Sequence, residues 1–107
     1  MLHHIDYAYR AVDGWKVYHL RTNPRITASI TPKHPGKSLR IVVQRYVNGA
    51  WRAEVSRSVT MDRDGFIYTA YRGHRAVAAK FRVQTKWLGD VDHAPVSSGW
   101  RYFRFTT

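Results

Sequence analysis

The segment Gly89-Asp90-Val91-Asp92-His93 places two carboxylates and one imidazole close together in the chain. Carboxylate oxygens are typical ligands of Ca²⁺ and imidazole nitrogens of Zn²⁺, so Asp90, Asp92 and His93 are candidate metal ligands. Calcium needs about six to eight oxygen ligands and zinc about three or four protein ligands. The sequence has no second cluster of candidate ligands at a spacing typical of metal sites. We therefore interpret the three residues as a structural loop and expect neither a metal nor a cofactor.

A second acidic segment, Asp62-Arg63-Asp64-Gly65, resembles the opening of a calcium-binding loop. The third acidic position and the terminal Glu of such a loop are missing. Asp and Gly are frequent in turns, because the Asp carboxylate accepts hydrogen bonds from nearby backbone amides and Gly adopts positive φ angles. We interpret this segment as a hairpin turn.

Residue types that perform catalysis are present without the arrangement that catalysis needs. The chain has no Cys and six His, and none of these His residues stands beside a Ser or carboxylate in a nucleophile motif. Glu54 is the only Glu, so a catalytic pair of carboxylates would need Asp residues that fall in predicted turns. We expect no enzymatic activity.

The charge of the chain is strongly positive. Eighteen Lys and Arg residues stand against seven Asp and Glu residues, which gives a net charge of +11. Such a field attracts polyanions, among them nucleic acids, anionic polysaccharides and acidic lipids. The alternative is a soluble module from a proteome rich in basic residues.

The elements that must position these residues are β-strands. Apolar and polar residues alternate along most of the chain, which indicates strands with one buried face. Asn48-Gly49 predicts a hairpin turn, and no segment keeps a helical spacing of apolar residues. We predict an all-β sandwich or barrel. The residues predicted to point inward are Leu39, Ile41, Val43, Phe81, Val83, Trp87, Phe103 and Phe105. The same alternation places Ile26, Ala28 and Ile30 on one face of their strand, and Phe66, Tyr68 and Ala70 on one face of theirs.

The start of the chain is similar to its end. Ile5-Asp6-Tyr7-Ala8 corresponds to Val91-Asp92-His93-Ala94, and Gly14-Trp15-Lys16 corresponds to Gly99-Trp100-Arg101. The similarity predicts a tandem repeat. Residues 1–22 would be the last loop and strand of a preceding repeat, packed on or leading into the repeat formed by residues 23–107. Tyr7 stands where His93 does, which argues against a conserved ligand role for that position.

The segment from Arg25 to the C-terminus carries a family resemblance. Its matching stretches are ITASITPKHPGKSLRIVVQRYVNGAWRAE, DRDGF and FRVQTKWLGDVDHAPVSSGWRYFRF. They resemble the bacterial immunoglobulin-like repeats of secreted and surface proteins of actinobacteria. The resemblance implies an immunoglobulin-like antiparallel β-sandwich in a tandem array, an extracellular or cell-surface location, and no catalytic residues.

The predicted sandwich has a basic outer face. If the apolar positions point inward, the strands predicted to share one sheet expose Arg40, Gln44, Arg82, Lys86, Tyr102 and Arg104. Arg40, Arg82, Lys86 and Arg104 could bind phosphate or sulfate groups, while Tyr102 could stack on a base or sugar. The alternative is a solvated face that prevents association between sheets.

The four Trp residues are expected to serve the fold. Trp51 and Trp87 are predicted to pack in the core or at a sheet edge, because buried aromatic side chains dominate small cores. Trp15 and Trp100 hold equivalent positions in the similar segments, which indicates a role within a repeat or at the junction between repeats.

The function expected from the sequence is a non-enzymatic spacer or adhesive module of a tandem-repeat bacterial protein. Its partners would be neighbouring repeats and anionic polymers or cell-wall polysaccharide. The alternatives are a polyanion-binding module that uses the basic face and an accessory carbohydrate-binding domain that uses exposed Trp or Tyr. The longest aliphatic run, Ala76–Ala79, is far shorter than the ~20 residues of a transmembrane helix, so we expect no membrane insertion, and any signal peptide would lie outside this segment.

Overall fold

A computed structural model of the chain describes residues 2–5, 10–73, 76–77, 79–91 and 94–107. These residues form strands and turns and include no helix, so the all-β prediction is confirmed. A helix able to cross a membrane is likewise not found in the described part. The strands are β1 (Leu2–Ile5), β2 (Arg10–Val12), β3 (Trp15–His19), β4 (Arg25–Ser29), β5 (Ser38–Val47), β6 (Ala50–Thr60), β7 (Phe66–Ala70), β8 (Lys80–Trp87), β9 (Val96–Ser97) and β10 (Arg101–Thr106).

The strands form two open sheets. The small sheet contains three antiparallel strands in the order β1-β4-β7. The large sheet has the order β2-β3-β10-β8-β5-β6, and β9 pairs with the end of β8. β3 and β10 run parallel, whereas the other named neighbours of the large sheet run antiparallel. Two open sheets around a common core are consistent with a β-sandwich.

Both sheets contribute to one core. The rings of Phe81 and Phe103 stack with centroids 5.2 Å apart, and Tyr71 packs on Phe81 at 5.3 Å. Tyr71 directly follows β7, so this contact joins the small sheet to the large one. Burial of each large apolar side chain stabilises the fold by about 1.5–3 kcal/mol. The predicted inward positions are confirmed as buried, namely Leu39, Ile41, Val43, Phe81, Val83, Trp87, Phe103 and Phe105, and so is the face of Ile26, Ala28 and Ile30. In β7 the buried side is different from the apolar face grouped from the sequence, because Ile67 is buried whereas Tyr68 is 65% exposed.

One predicted connection between strands is confirmed, and two other connections differ from the prediction. Asn48 and Gly49 have φ angles of 50° and 83° and join β5 to β6, so the predicted hairpin is confirmed. Asp62–Gly65 also forms a turn, but the prediction of a hairpin was wrong, because β6 and β7 belong to different sheets. The chain between the loop predicted at Asp90, Asp92 and His93 and the following strand contains β9, which pairs with Lys86 and Trp87 and which the sequence did not predict.

The N-terminal segment is part of both sheets. β1 pairs with β4, and β3 pairs in parallel with β10, which buries Val17 and Tyr18. Lys16 also ties the two sheets together, since its Nζ donates a hydrogen bond to the carbonyl oxygen of Ile5 at 2.6 Å. β1 and β3 therefore pair with the rest of the described chain. The origin of this segment in a preceding repeat stays a prediction.

Candidate functional site

The large sheet brings outward side chains from four strands into one row. Its pairing register sets Trp15 of β3 beside Tyr102 of β10, Tyr102 beside Arg82 of β8, and Arg82 beside Gln44 of β5. Successive side chains of a strand point to opposite faces, and the neighbour Phe103 points into the core. The row therefore lies on the outer face of the sheet.

Arg82 is the centre of this row. Its Nε donates a hydrogen bond to Oε1 of Gln44 at 2.7 Å. Its guanidinium carbon lies over the rings of Trp51 and Trp100, 4.5 Å and 4.0 Å from their centroids. Each contact is a cation–π interaction, in which the positive charge is attracted to the electron-rich ring face. Arg82 thus joins residues from three separate parts of the chain.

A line of aromatic rings extends from this centre toward β3 and toward β6. Tyr102 lies 5.2 Å from Trp15 and 6.0 Å from Trp51, and Trp51 lies 5.3 Å from Tyr46 between ring centroids. Nζ of Lys80 lies 5.9 Å from the Trp15 ring. We call this surface the aromatic–basic face. It consists of Trp15, Tyr46, Trp51, Trp100 and Tyr102 together with Arg40, Lys80, Arg82, Lys86 and Arg104.

The hairpin between β5 and β6 places Trp51 on this face. The tight turn at Asn48-Gly49 sets the register, so that Trp51 lies directly opposite Tyr46. Further along the hairpin, the pairing shifts at Gln44, and Glu54 becomes the extra residue of a β-bulge. Glu54 forms an ion pair with Nε of Arg45 at 2.8 Å. Bulges increase the local twist of a strand, which turns this end of β6 relative to the rest of the sheet.

Cations stand directly opposite one another at both ends of the face. Arg40 is paired with Lys86, and Lys80 with Arg104. Like charges in directly opposite positions destabilise a sheet. The guanidinium of Arg40 donates to the hydroxyls of Ser56 and Ser58 at 3.1 and 3.3 Å. Within the described residues, none of the cations of the aromatic–basic face forms an ion pair. The face therefore concentrates positive charge that the described carboxylates do not neutralise.

The aromatic rings of the face pack against one another at an angle and do not form one flat surface on which a ligand could stack. Trp15 and Tyr102 are tilted by 57°, Trp51 and Tyr102 by 56°, and Tyr46 and Trp51 by 66°. The guanidinium of Arg82 also covers part of the Trp51 and Trp100 rings. A flat base or sugar needs an exposed ring face of its own size. Arg82 consequently leaves only part of the Trp51 and Trp100 ring faces free, whereas Tyr46 is 44% exposed.

All five residues proposed from the sequence for polyanion binding lie on this outer side, namely Arg40, Arg82, Lys86, Tyr102 and Arg104. The sequence interpretation missed that Trp15, Tyr46, Trp51, Trp100 and Lys80 join them. Alternation along β5 together with the Asn48-Gly49 turn was the available signal for Tyr46 and Trp51. Trp87, in contrast, is buried in the core as predicted.

The structure describes only one of the three candidate metal ligands. Asp90 belongs to the described residues, whereas Asp92 and His93 lie outside them. Among the residues that the structure describes, no group of three or more His, Asp or Glu side chains could hold a metal ion. The carboxylate of Asp62 accepts hydrogen bonds from the backbone amides of Asp64 and Phe66 at 2.9 and 3.1 Å, which is the role of an Asp in a turn.

Comparison with known proteins gives limited similarity. No family model matches the sequence, and no solved structure matches the chain. Among curated proteins, transferrin receptor protein 2 of Homo sapiens is 34% identical over 79 residues. The match covers 66% of this chain and 10% of the receptor, so the chain spans about a tenth of the length of that relative.

Proposed function

We propose that this chain is a non-enzymatic, immunoglobulin-like adhesion module that binds anionic polysaccharide through its aromatic–basic face. The strand order supports the immunoglobulin-like part of the proposal. β1, β4 and β7 correspond to strands A, B and E, while β10, β8, β5 and β6 correspond to G, F, C and C′. In immunoglobulin-type sandwiches, strands C, F and G share the sheet opposite strands B and E.

The observation that carries the binding proposal is the placement of like-charged residues directly across from each other. Arg40 faces Lys86 and Lys80 faces Arg104 on the same side of the sheet. The two pairs are separated by the length of β8, which is roughly 20 Å at ~3.3 Å per residue. An extended polymer with regularly spaced sulfate or carboxylate groups would neutralise both pairs at once, and the aromatic residues would hold Arg82 in place between them.

The tilted and partly covered rings favour a polymer recognised by charge. Stacking of neutral sugar rings or of bases would need free ring faces, which Trp51 and Trp100 offer only in part because Arg82 lies over them. The accessory carbohydrate-binding alternative therefore gains less support than polyanion binding. A tandem array on a secreted or surface bacterial protein and a role as spacer remain predictions from the resemblance.

Binding of fluorescently labelled heparin tests the proposal. Its affinity should fall with salt, with a slope of log K against log salt of about −3 if four cations each displace one counterion. The double variant Lys80→Gln/Arg104→Gln should bind about tenfold or more weakly and show a shallower slope. Neutral dextran should not bind.

The matched control is Arg21→Gln/Arg63→Gln, which removes the same charge from two exposed residues outside the aromatic–basic face. Its affinity for heparin should change by less than about threefold. Equal losses in both double variants would show that net charge alone causes binding and would refute the site. Tighter binding of oligo-dT than of heparin at equal salt, with strong Trp quenching, would assign the face to single-stranded nucleic acid instead.

A further inference from the structure

The two sheets end unevenly at one side of the molecule. β6 is the outermost strand of the large sheet, and β7 is the outermost strand of the small one. Val55 and Arg57 of β6 share the inward side with the neighbouring Val43 and Ile41. Val43 is only 1% exposed, whereas Val55 is half-buried and Arg57 is exposed. The inner side of β6 is therefore an incompletely covered continuation of the core.

A cleft opens at this place. Its inner part is a cavity of about 250 Å³ that is open to solvent and has both polar and apolar groups in its lining. Val55, Ala70 and the two arginines Arg57 and Arg72 line it, together with Ile26, Ile41 and Val43, which are each at most 2% exposed. It continues into a wider depression of about 570 Å³ along β7, lined in part by Arg57 and Arg72. The two arginines line both parts. The cleft thus combines apolar side chains with two arginines that line it along its whole length.

Arg57 spans the mouth from one sheet to the other. Its Nη2 donates hydrogen bonds to Oγ1 of Thr69 and to the carbonyl oxygen of Ala70, both on β7. Within the described residues, neither Arg57 nor Arg72 forms an ion pair. Two guanidinium groups beside an apolar cavity attract an anion, and planar guanidinium groups bind carboxylates especially well through paired hydrogen bonds.

One wall of the cavity is held by a close contact. A Cβ atom at Gly73 would lie 2.8 Å from the hydroxyl oxygen of Tyr71, so only glycine lets the backbone approach this ring so closely. Tyr71 is itself almost fully buried and packs on Phe81 and Phe103. The wall is therefore tied to the aromatic core, and the cavity is expected to keep its shape when it is empty.

We propose that this cleft binds a small amphiphilic carboxylate, with its aliphatic tail in the cavity and its carboxylate on Arg57 and Arg72. Both the charge and the apolar side chains of the cleft favour this class of ligand. A neutral aliphatic molecule would form no ion pair with the two arginines, and an anion without an aliphatic tail would not fill the cavity. The site lies on the inner side of β6 and is independent of the aromatic–basic face.

Titration with octanoate, followed by NMR of isotope-labelled Ile δ1 methyl groups, tests the assignment. The methyl signals of Ile26 and Ile41, which line the cavity, should shift in a saturable manner. The signal of Ile30, a core residue outside the cavity lining, should stay unchanged. Acetate and octyltrimethylammonium should cause far smaller shifts at the same concentration. Absence of saturable shifts with octanoate, or equal shifts with all three compounds, would overturn the proposal.

The variants Arg57→Gln and Arg72→Gln should each weaken octanoate binding by on the order of tenfold. If Arg57→Gln unfolds the protein because the contacts to β7 are lost, the octanoate affinity of Arg72→Gln tests the proposal by itself. The matched control is Arg63→Gln, which removes the same charge from an exposed turn. If Arg63→Gln lost as much octanoate affinity, the loss would be due to net charge alone, and the proposed site would be refuted. Heparin binding should be unaffected by Arg72→Gln, so the two proposals fail independently.

Discussion

The guanidinium carbon of Arg82 lies 4.0 Å from the ring centroid of Trp100. The same group lies over the Trp51 ring and donates a hydrogen bond to Gln44. A charged side chain thereby connects several strands on the outer surface of the large sheet. Cation–π contacts contribute about 0.5–2 kcal/mol each, depending on how far they are removed from water.

Substitution of Arg82 should measurably destabilise the protein. Arg82→Met keeps most of the side-chain length but loses the charge and the hydrogen bond to Gln44, so the free energy of unfolding should fall by about 1–2 kcal/mol. Tryptophan fluorescence should change as well, because two indoles lose a contact. Urea denaturation measures the effect, and Arg63→Met is the control in an exposed turn. A loss no larger than that of the control would contradict the contacts.

Substitution of Arg104 should stabilise the fold while it weakens binding. Arg104 stands opposite Lys80, and like charges in such pairs repel. Arg104→Gln should raise the free energy of unfolding by about 0.3 kcal/mol at low salt, and the gain should vanish at high salt because of screening. Denaturation at two salt concentrations measures this. A loss of stability at low salt would mean that Arg104 has a favourable partner in the fold.

Thr85 should be replaceable by valine with a gain in stability. Its side chain is fully buried, and its hydroxyl has no hydrogen-bond partner among the described residues. Thr85→Val has nearly the same shape and removes the cost of an unsatisfied buried hydroxyl, so the free energy of unfolding should rise by about 1 kcal/mol. The backbone bond from Thr85 to Ser98 is retained. Thr85→Ser keeps the hydroxyl and loses a methyl group, so it should destabilise the protein.

Asp62 should support the turn between the sheets and bind no calcium. Its carboxylate accepts two backbone hydrogen bonds, so Asp62→Ala should lower the free energy of unfolding by about 1–2 kcal/mol. Asp64→Ala in the same turn is the matched control and should be nearly neutral. Addition of about 10 mM Ca²⁺ should leave the thermal midpoint unchanged, because a ligand of the folded state would raise it. A rise that Asp62→Ala abolishes would restore the calcium interpretation.

The similarity between the two ends of the chain has a structural counterpart. The similar segments include β3 and β10, which lie side by side in parallel and both direct aromatic residues inward, Tyr18 from β3 and Phe103 from β10. Neighbouring strands of one sheet share the same inside–outside alternation, so similar sequences are expected for them. The tandem-repeat interpretation is therefore not required by the similarity alone, and further copies in a longer chain would be its test.

Most of the strands were predictable because their signals are local. The alternation in Lys80–Trp87 and the Asn48-Gly49 turn need only neighbouring residues to be read. The failures concern connections between distant parts of the chain. Asp62–Gly65 is a turn by its residue types, but its sequence contains nothing that distinguishes a hairpin from a passage between sheets. The short strand Val96–Ser97 is held by its pairing with β8 and has too few residues for a pattern of its own.

The sequence by itself determined which side chains face inward on most of the strands, where several of the tight turns lie, and that the protein is basic and all-β. These properties follow from residue type and from a period of two along each strand. Only the tertiary structure decided that Arg82 meets Trp51 and Trp100, and that the sheets end unevenly beside Arg57. Both depend on which strands become neighbours, and that choice is made by the packing of the whole core between residues far apart in the chain.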